Sequence, residues 1–434
     1  MPHKHELSRI FATAAAVGLA LAATPTLAQE SSGSRSRIEQ QNRDQQEEQG
    51  QGGSAPAGLD VATAKALNTA IEALNMEKYA EAQAAIATLS LEKLSPYERS
   101  RVEQILFSIS YAEENFEEAR RHLQASIDAG GLNEQEISQA RYQFAQLYLQ
   151  EEKWKEGAAA LEEWLMTAMD PNSAPYYLLA VAYYQMEDFA RALPPAQKAI
   201  ELTDMPQESW LQLLLALYLQ KEQFSDAIPL LERLIETAPD KKTYWMQLSA
   251  VYGQVEDYPN ALAIMWLAYE AGLVTEDAEI RRLADLLLFN EVPYRGGQIL
   301  EDAIQKETVA VDDKLYEKLA NCWIAAGEIE KAIEPLERGG ELASSGDMLI
   351  RLGQVHMERQ DWEAAQAALE RGIDKGELTD TGGAQLLMGI AFFNEKQLAD
   401  ARPWFARAAK AEKHRSIAET YLQIINAQTA SAPA

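Results

Sequence analysis

The sequence predicts an all-helical chain, built as a solenoid of about ten helix-turn-helix repeats. Two observations carry this prediction. Large apolar residues recur ten times, each after polar residues and each followed three places later by a small residue, at steps of 33 to 38 residues. Upstream of each one lie apolar positions at helical spacing, such as Tyr176, Leu179, Ala180 and Tyr183. The ten pairs are Tyr79 and Ala82, Phe116 and Ala119, Trp154 and Gly157, Phe189 and Ala192, Phe224 and Ala227, Tyr258 and Ala261, Tyr294 and Gly297, Ile329 and Ala332, Trp362 and Ala365, and Leu398 and Ala401.

The first 28 residues have the features of a secretory signal peptide. Lys4 and Arg9 accompany an apolar run over 10–23, which is too short to span a membrane, and small residues end the segment near Ala28. Residues 29–58 contain almost nothing apolar and are expected to form a disordered polar linker. We therefore expect an exported, periplasmic protein without a transmembrane segment. A retained amphipathic leader is the alternative.

Each repeat is expected to contain two antiparallel helices joined by a short polar turn, the second helix starting near the large apolar residue. The small residue lets the two helices of one hairpin cross closely, and stacking buries the faces that a single hairpin leaves exposed. The repeat array is expected over 59–413, followed by a capping helix and short tail over 414–434. The apolar positions of that helix are Ile417, Tyr421, Leu422 and Ile425.

Two features depart from a regular array. Arg281, Asp285 and Gly297 occupy positions of the seventh repeat that are usually apolar or alanine. Several prolines also fall inside predicted second helices, where we expect local bends. They are Pro194, Pro195, Pro229, Pro335 and Pro403.

Composition and motifs argue against several classes of function. The net charge of −28, from 39 Lys and Arg against 67 Asp and Glu, disfavours nucleic-acid binding. Cys322 is the only cysteine, so an internal disulfide and a multi-thiolate metal site are excluded, and we expect it to be buried. The histidines beyond the leader, His122, His356 and His414, are too far apart for a zinc site. We expect no catalytic, cofactor or metal site. The alternative is an enzyme or ligand carrier with a pocket inside the superhelix.

The repeat resembles the tetratricopeptide repeat family over about residues 61–430. Trp245, Leu248, Tyr252, Tyr258 and Ala261 match the family pattern within a single repeat. The resemblance implies a right-handed superhelical solenoid whose first helices line a concave face. It also implies a non-catalytic role in protein–protein interaction.

A four-then-three spacing along each first helix selects the concave face in this family. The side chains it selects here suit a partner's amphipathic helix or extended apolar segment. The candidate partner-binding residues are Tyr142, Tyr177, Val181, Tyr184, Gln212, Leu219, Met246, Gln354, Met357, Leu386 and Phe393. The lysine and asparagine clamp by which some members hold a carboxylate terminus is missing. The alternative is that these residues pack between neighbouring repeats.

A closer resemblance concerns the middle of the array. Residues 244–248, 255–258, 267–270 and 290–294 are similar to periplasmic tetratricopeptide proteins encoded with TonB–ExbB–ExbD systems. This implies an accessory scaffold in energised outer-membrane transport, with TonB-system components or an outer-membrane receptor as partners. The alternative is a scaffold for another envelope complex, in outer-membrane assembly or peptidoglycan machinery.

Overall fold

The computed structural model describes residues 58–430, which form 21 α-helices and no strand. The all-helical class and the repeat count predicted from the sequence are confirmed for this part of the chain. The predicted signal peptide, and the predicted linker up to residue 57, lie outside the described residues. The chain divides into two compact units, one ending at Gln223 and the other beginning at Phe224.

The described part of the first unit contains four antiparallel helix hairpins and one further helix. Each hairpin packs on the next in chain order, and a short 3-10 turn, Leu91–Lys93, precedes the second hairpin. The helices are α1 (Val61–Asn75), α2 (Tyr79–Ile86), α3 (Pro96–Ala112), α4 (Phe116–Asp128), α5 (Glu134–Gln150), α6 (Trp154–Thr167), α7 (Ser173–Gln185), α8 (Phe189–Glu201) and α9 (Glu208–Gln220).

The described part of the second unit begins with one helix, continues with five hairpins and ends with one helix packed on the last hairpin. The helices are α10 (Phe224–Thr237), α11 (Lys242–Gln254), α12 (Tyr258–Glu270), α13 (Asp277–Phe289), α14 (Pro293–Gln305), α15 (Asp313–Ala325), α16 (Ile329–Leu342), α17 (Asp347–Glu358), α18 (Trp362–Lys375), α19 (Thr381–Asn394), α20 (Leu398–Ala408) and α21 (Arg415–Ala430). Counted along the chain, α9 and α10 complete a tenth repeat.

The second helices begin where the sequence pattern places them. In nine repeats the large apolar residue is the first residue of the second helix, and in the seventh Pro293 precedes Tyr294. The eight alanines of the pattern are all fully buried, and Gly157 and Gly297 are buried as well. The five prolines also lie inside second helices, as expected.

In the two repeats whose small residue is glycine, that glycine packs against a different element in each repeat. A Cβ added to Gly157 would overlap Leu149, which belongs to the first helix of the same hairpin. A Cβ added to Gly297 would lie 2.8 Å from three ring atoms of Trp323, a fully buried residue of α15 in the next repeat. The close crossing within one hairpin therefore explains Gly157, whereas Gly297 makes room for a neighbouring repeat.

The turns inside the hairpins share one backbone conformation. The residue two positions before the second helix has a φ of 55 to 75° in all ten repeats, and the next amide donates back to the first helix, as from Asp188 to the carbonyl of Tyr183 at 2.9 Å. Glycine adopts this left-handed region most easily, yet only Gly327 is a glycine. Seven of the others are glutamates: Glu77, Glu114, Glu152, Glu187, Glu222, Glu256 and Glu291.

Ion pairs accompany apolar packing in the seventh repeat. Arg281 on α13 bonds to Asp277 at 2.7 Å and to Asp312, at the start of α15, at 2.9 Å. Lys318 of α15 forms a second ion pair with Asp285 of α13. The two first helices are thus joined by charges at the positions where the sequence departs from the pattern.

The last helix, α21, closes the second unit. Ile425 is buried, and the ring of Tyr421 stacks on Phe405 with centroids 4.6 Å apart. Ile417 is 50% exposed, so it does not pack on the array as its apolar character led us to expect. Asp380, which caps the N-terminus of α19, binds His414 just before α21 at 2.8 Å.

Candidate functional site

All eleven candidate residues lie on first helices. Tyr142 is on α5, three are on α7, two on α9, and the remaining five on α11, α17 and α19. The α5, α7 and α9 residues belong to the first unit and the others to the second, so each unit presents its own face.

Aromatic stacking occupies part of the face in the first unit. The ring of Tyr177 stacks on Trp210 of the next first helix, with centroids 4.9 Å apart and planes at 17°. Burial raises the pKa of Tyr177. Tyr142 packs on Trp164 at 4.8 Å, and Val181 is only 8% exposed. These side chains pack within or between repeats, which is the alternative that the sequence left open.

Three candidates of the first unit stay accessible. Tyr184 is half-buried beside Phe189, with ring centroids 5.5 Å apart, and burial raises the pKa of Tyr184. Gln212 and Leu219 are half-buried on α9. The Gln212 amide donates to the carboxylate of Glu208 at 3.0 Å.

The second unit shows the same division. Leu386 is 8% exposed and lies in a core cluster at the end of the array. Phe393 packs edge-on against Tyr421 at 5.1 Å. Met246 and Met357 are half-buried, and Gln354 is exposed. Val181 and Leu386 are therefore core residues, whereas Met246 and Met357 lie partly buried against core clusters and Gln354 is exposed.

One first helix carries accessible groups that the sequence did not single out. Phe289, the last residue of α13, is 63% exposed, and its ring lies 4.3 Å from that of Tyr258. Arg282 precedes the large apolar residue of its repeat by twelve positions, as Tyr177 and Met246 do in theirs. Extending the four-then-three spacing to the irregular seventh repeat would have found both residues.

Inter-repeat hydrogen bonds stabilise the scaffold on which this face lies. A tyrosine of the first helix bonds to the second helix of the preceding repeat in three successive repeats. The pairs are Tyr183 with Glu162 at 2.5 Å, Tyr218 with Gln197 at 2.9 Å, and Tyr252 with Glu232 at 3.0 Å. Burial and the adjacent Glu162 carboxylate raise the pKa of Tyr183 to about 12.

The described residues offer little reactive chemistry. Cys322 is fully buried, and desolvation raises the pKa of its thiol to about 11, so the nucleophilic thiolate is disfavoured. His122 pairs with Glu103 at 2.7 Å inside one hairpin. Over residues 58–430, no group of three or more His, Cys, Asp or Glu side chains is placed to hold a metal ion. Within the same range, no helix combines the length and apolar character needed to cross a membrane.

Comparison with known proteins shows what two segments of the chain are similar to. A sequence profile of the tetratricopeptide repeat family matches residues 177–241 and 350–414. These two segments of the chain match the tetratricopeptide repeat family. The matched tetratricopeptide segments run from α7 to just beyond α10 and from α17 to just before α21. Among curated proteins, none matches the chain.

Several solved structures are similar to the chain. A tetratricopeptide repeat protein from Parabacteroides merdae is 12% identical, over 58% of this chain and 98% of that protein, with a TM-score of 0.32. YrrB, a tetratricopeptide protein with an unusual peptide-binding site, is 16% identical over 47% and 92%, with a TM-score of 0.34. The pilF protein of Pseudomonas aeruginosa is 14% identical over 48% and 91%, with a TM-score of 0.33.

Proposed function

We propose that the chain is a protein-interaction scaffold whose first helices receive segments of partner proteins. The observation that carries this proposal is the accessibility of large side chains on those helices. Tyr184, Leu219, Met246 and Met357 are half-buried, although the core holds many residues of the same types. Tyrosine and methionine make adaptable contacts of this kind at binding surfaces.

The packing of the candidate residues decides which of them are suitable for mutation in a test of this proposal. Tyr177 stacks on Trp210, so replacing it would loosen the contact between two repeats as well as any partner contact. Tyr184 and Met246 are better probes because, among residues 58–430, neither takes part in an aromatic stack between successive first helices. Leu267, which is 53% exposed on the second helix α12, is a matched control for an apolar truncation.

The test begins with selection of binders from a displayed random-peptide library on the full chain. For a selected peptide, Tyr184→Ala or Met246→Ala should raise the Kd about tenfold, the usual effect of losing an interface anchor, while Leu267→Ala leaves it unchanged. Circular dichroism should show unchanged helix content in all three variants. Equal Kd values for all three variants would overturn the assignment of the binding face.

We propose, at a finer level, that this scaffold works in the periplasm as an accessory of a TonB-type transport system. The signal-like N-terminal segment and the resemblance over residues 244–294 support this role. Part of that stretch serves packing, since the Asn290 side chain donates to the carbonyl of Tyr258 at 3.3 Å. Phe289 beside it remains 63% exposed, and Tyr294 is 42% exposed.

The finer role is tested by cross-linking in cells. The tagged chain is exported, a cleavable cross-linker is added, and cross-linked proteins are identified by mass spectrometry. Recovery of TonB, ExbD or an outer-membrane receptor is the expected result, with reduced recovery for Phe289→Ala. Recovery of only cell-wall enzymes or outer-membrane assembly proteins would contradict the transport role and favour the alternative envelope scaffold.

A further inference from the structure

Arg282 is a cationic side chain to which no described residue, over 58–430, supplies a counter-charge. It is half-buried on α13, and it makes no hydrogen bond or ion pair with any of the residues over 58–430. Desolvation lowers its pKa, with no compensation from a neighbouring acid. A guanidinium has five donors, and partial burial removes part of its hydration without a protein partner to replace it.

Four acidic groups on α13 and at or on α15 are already engaged. Asp277 and Asp312 both bind the adjacent Arg281. Asp285, one turn further along α13, pairs with Lys318, and Glu317 of α15 lies 3.6 Å from Arg351. Among residues 58–430, the adjacent Arg281 thus has two carboxylates as partners, whereas Arg282 has none.

Arg282, which lacks a counter-charge among the described residues, occupies a position equivalent to the candidate partner-binding residues of other repeats. It corresponds in its repeat to Tyr177, Gln212 and Met246 in theirs, twelve residues before the large apolar residue. Phe289 lies seven residues further along α13, which is about 10 Å at 1.5 Å per residue and nearly two full helical turns. Arg282 and the exposed Phe289 ring therefore share one side of the helix.

We propose that Arg282 binds one carboxylate of a partner segment while Phe289, with Tyr258 behind it, receives an apolar side chain of the same segment. This inference rests on the proposed scaffold function and adds the chemistry of the partner. An extended segment rises about 3.3 Å per residue, so the two partner groups should stand about three residues apart. A planar guanidinium suits bidentate binding of a carboxylate.

The net charge of the whole chain restricts the charge that the partner segment can carry. At a net charge of −28, the protein repels a strongly acidic tract at long range. The matching segment is therefore mainly apolar with a single carboxylate, rather than a polyacidic tail. This carboxylate comes from an Asp or Glu side chain or from a free C-terminus, and both present the same group to Arg282.

The experiment compares displayed random-peptide libraries on three full-length proteins: wild type, Arg282→Gln and Arg295→Gln. Arg295 is an exposed arginine on α14 that lies over the ring of Trp266, so its replacement makes the same change in net charge elsewhere. One library ends in a free carboxylate and the other in a fixed neutral extension, which separates the two sources of the carboxylate. Circular dichroism and the thermal midpoint monitor folding of each protein.

Wild type and Arg295→Gln should enrich peptides with a carboxylate about three residues from an aliphatic or aromatic residue. Arg282→Gln should lose the carboxylate preference and bind a wild-type-selected peptide at least tenfold more weakly, since a hydrogen bond to a charged group is lost. Arg282→Glu should instead enrich lysine or arginine at that position. Enrichment of apolar peptides without a carboxylate on wild type would overturn this inference and leave the scaffold proposal intact. An unchanged preference of Arg282→Gln for carboxylate-bearing peptides would do the same. No enrichment on wild type would overturn the scaffold function and this inference together.

Discussion

Gly297 offers a prediction in which the repeat pattern and the structure disagree. Eight of the ten repeats carry alanine at this position, so the pattern favours Gly297→Ala, and helix propensity alone would favour it by about 1 kcal/mol. The added Cβ would, however, lie 2.8 Å from three ring atoms of the fully buried Trp323. Overpacking of this kind costs about 1–3 kcal/mol. We expect a net loss of about 1 kcal/mol, since the propensity gain offsets only part of that cost.

Gly253→Ala is the matched control, because nothing lies within 4 Å of a Cβ added there, in the last turn of α11. It should stabilise the protein by about 0.5–1 kcal/mol. Repeat arrays do not unfold as a single unit, so local opening is measured by amide hydrogen exchange. Faster exchange in α14 and α15 for Gly297→Ala, and slower exchange in α11 for Gly253→Ala, are expected. Slower exchange for both variants would refute the steric reasoning.

Three further predictions concern single residues. The Glu98 carboxylate accepts the backbone N–H of Asp60 at 2.7 Å and bonds to Ser95, which lowers its pKa from 4.5 to about 2. The stabilisation by the Glu98 carboxylate is complete above pH 4.5 and is lost as the pH falls toward 2. The urea midpoints of unfolding of wild type and Glu98→Gln should therefore converge over that pH range. A difference between the two midpoints that stays constant with pH would contradict this expectation. Glu187 has a φ of 59°, so Glu187→Gly should raise stability by about 1 kcal/mol in thermal unfolding, and an unchanged or lower midpoint would argue against backbone strain there. Cys322, with its pKa raised to about 11, should react with a maleimide at pH 7 only after denaturation, and rapid labelling of the native protein would disprove its burial.

The repeat architecture was predictable from the sequence because its determinants are local. A large apolar residue followed one turn later by a small residue predicted that a second helix starts near it, and helices do begin at Trp154 and Phe224. Burial of Cys322 followed from its place inside a first helix. Patterns that recur at one period reinforce each other, so irregularities in one repeat did not obscure the others.

The accessibility of the candidate binding residues was less predictable because it depends on neighbours in other repeats. Stacking of Tyr177 on Trp210 and the burial of Val181 and Leu386 arise from contacts that no spacing rule contains. The isolation of Arg282 likewise became visible only when the partners of the surrounding acids were known. Spacing therefore selected side chains on first helices, and packing decided which of them are accessible.

The binding of partner segments to the first helices is tested most directly by mapping a bound peptide. A library-selected peptide carrying a photoreactive benzophenone is cross-linked to the full chain, and the attached residues are identified by mass spectrometry. Attachment to first-helix residues such as Tyr184, Met246 and Phe289 is expected, and it should be lost to excess unlabelled peptide. Attachment confined to exposed second-helix residues such as Leu267 would contradict the assignment.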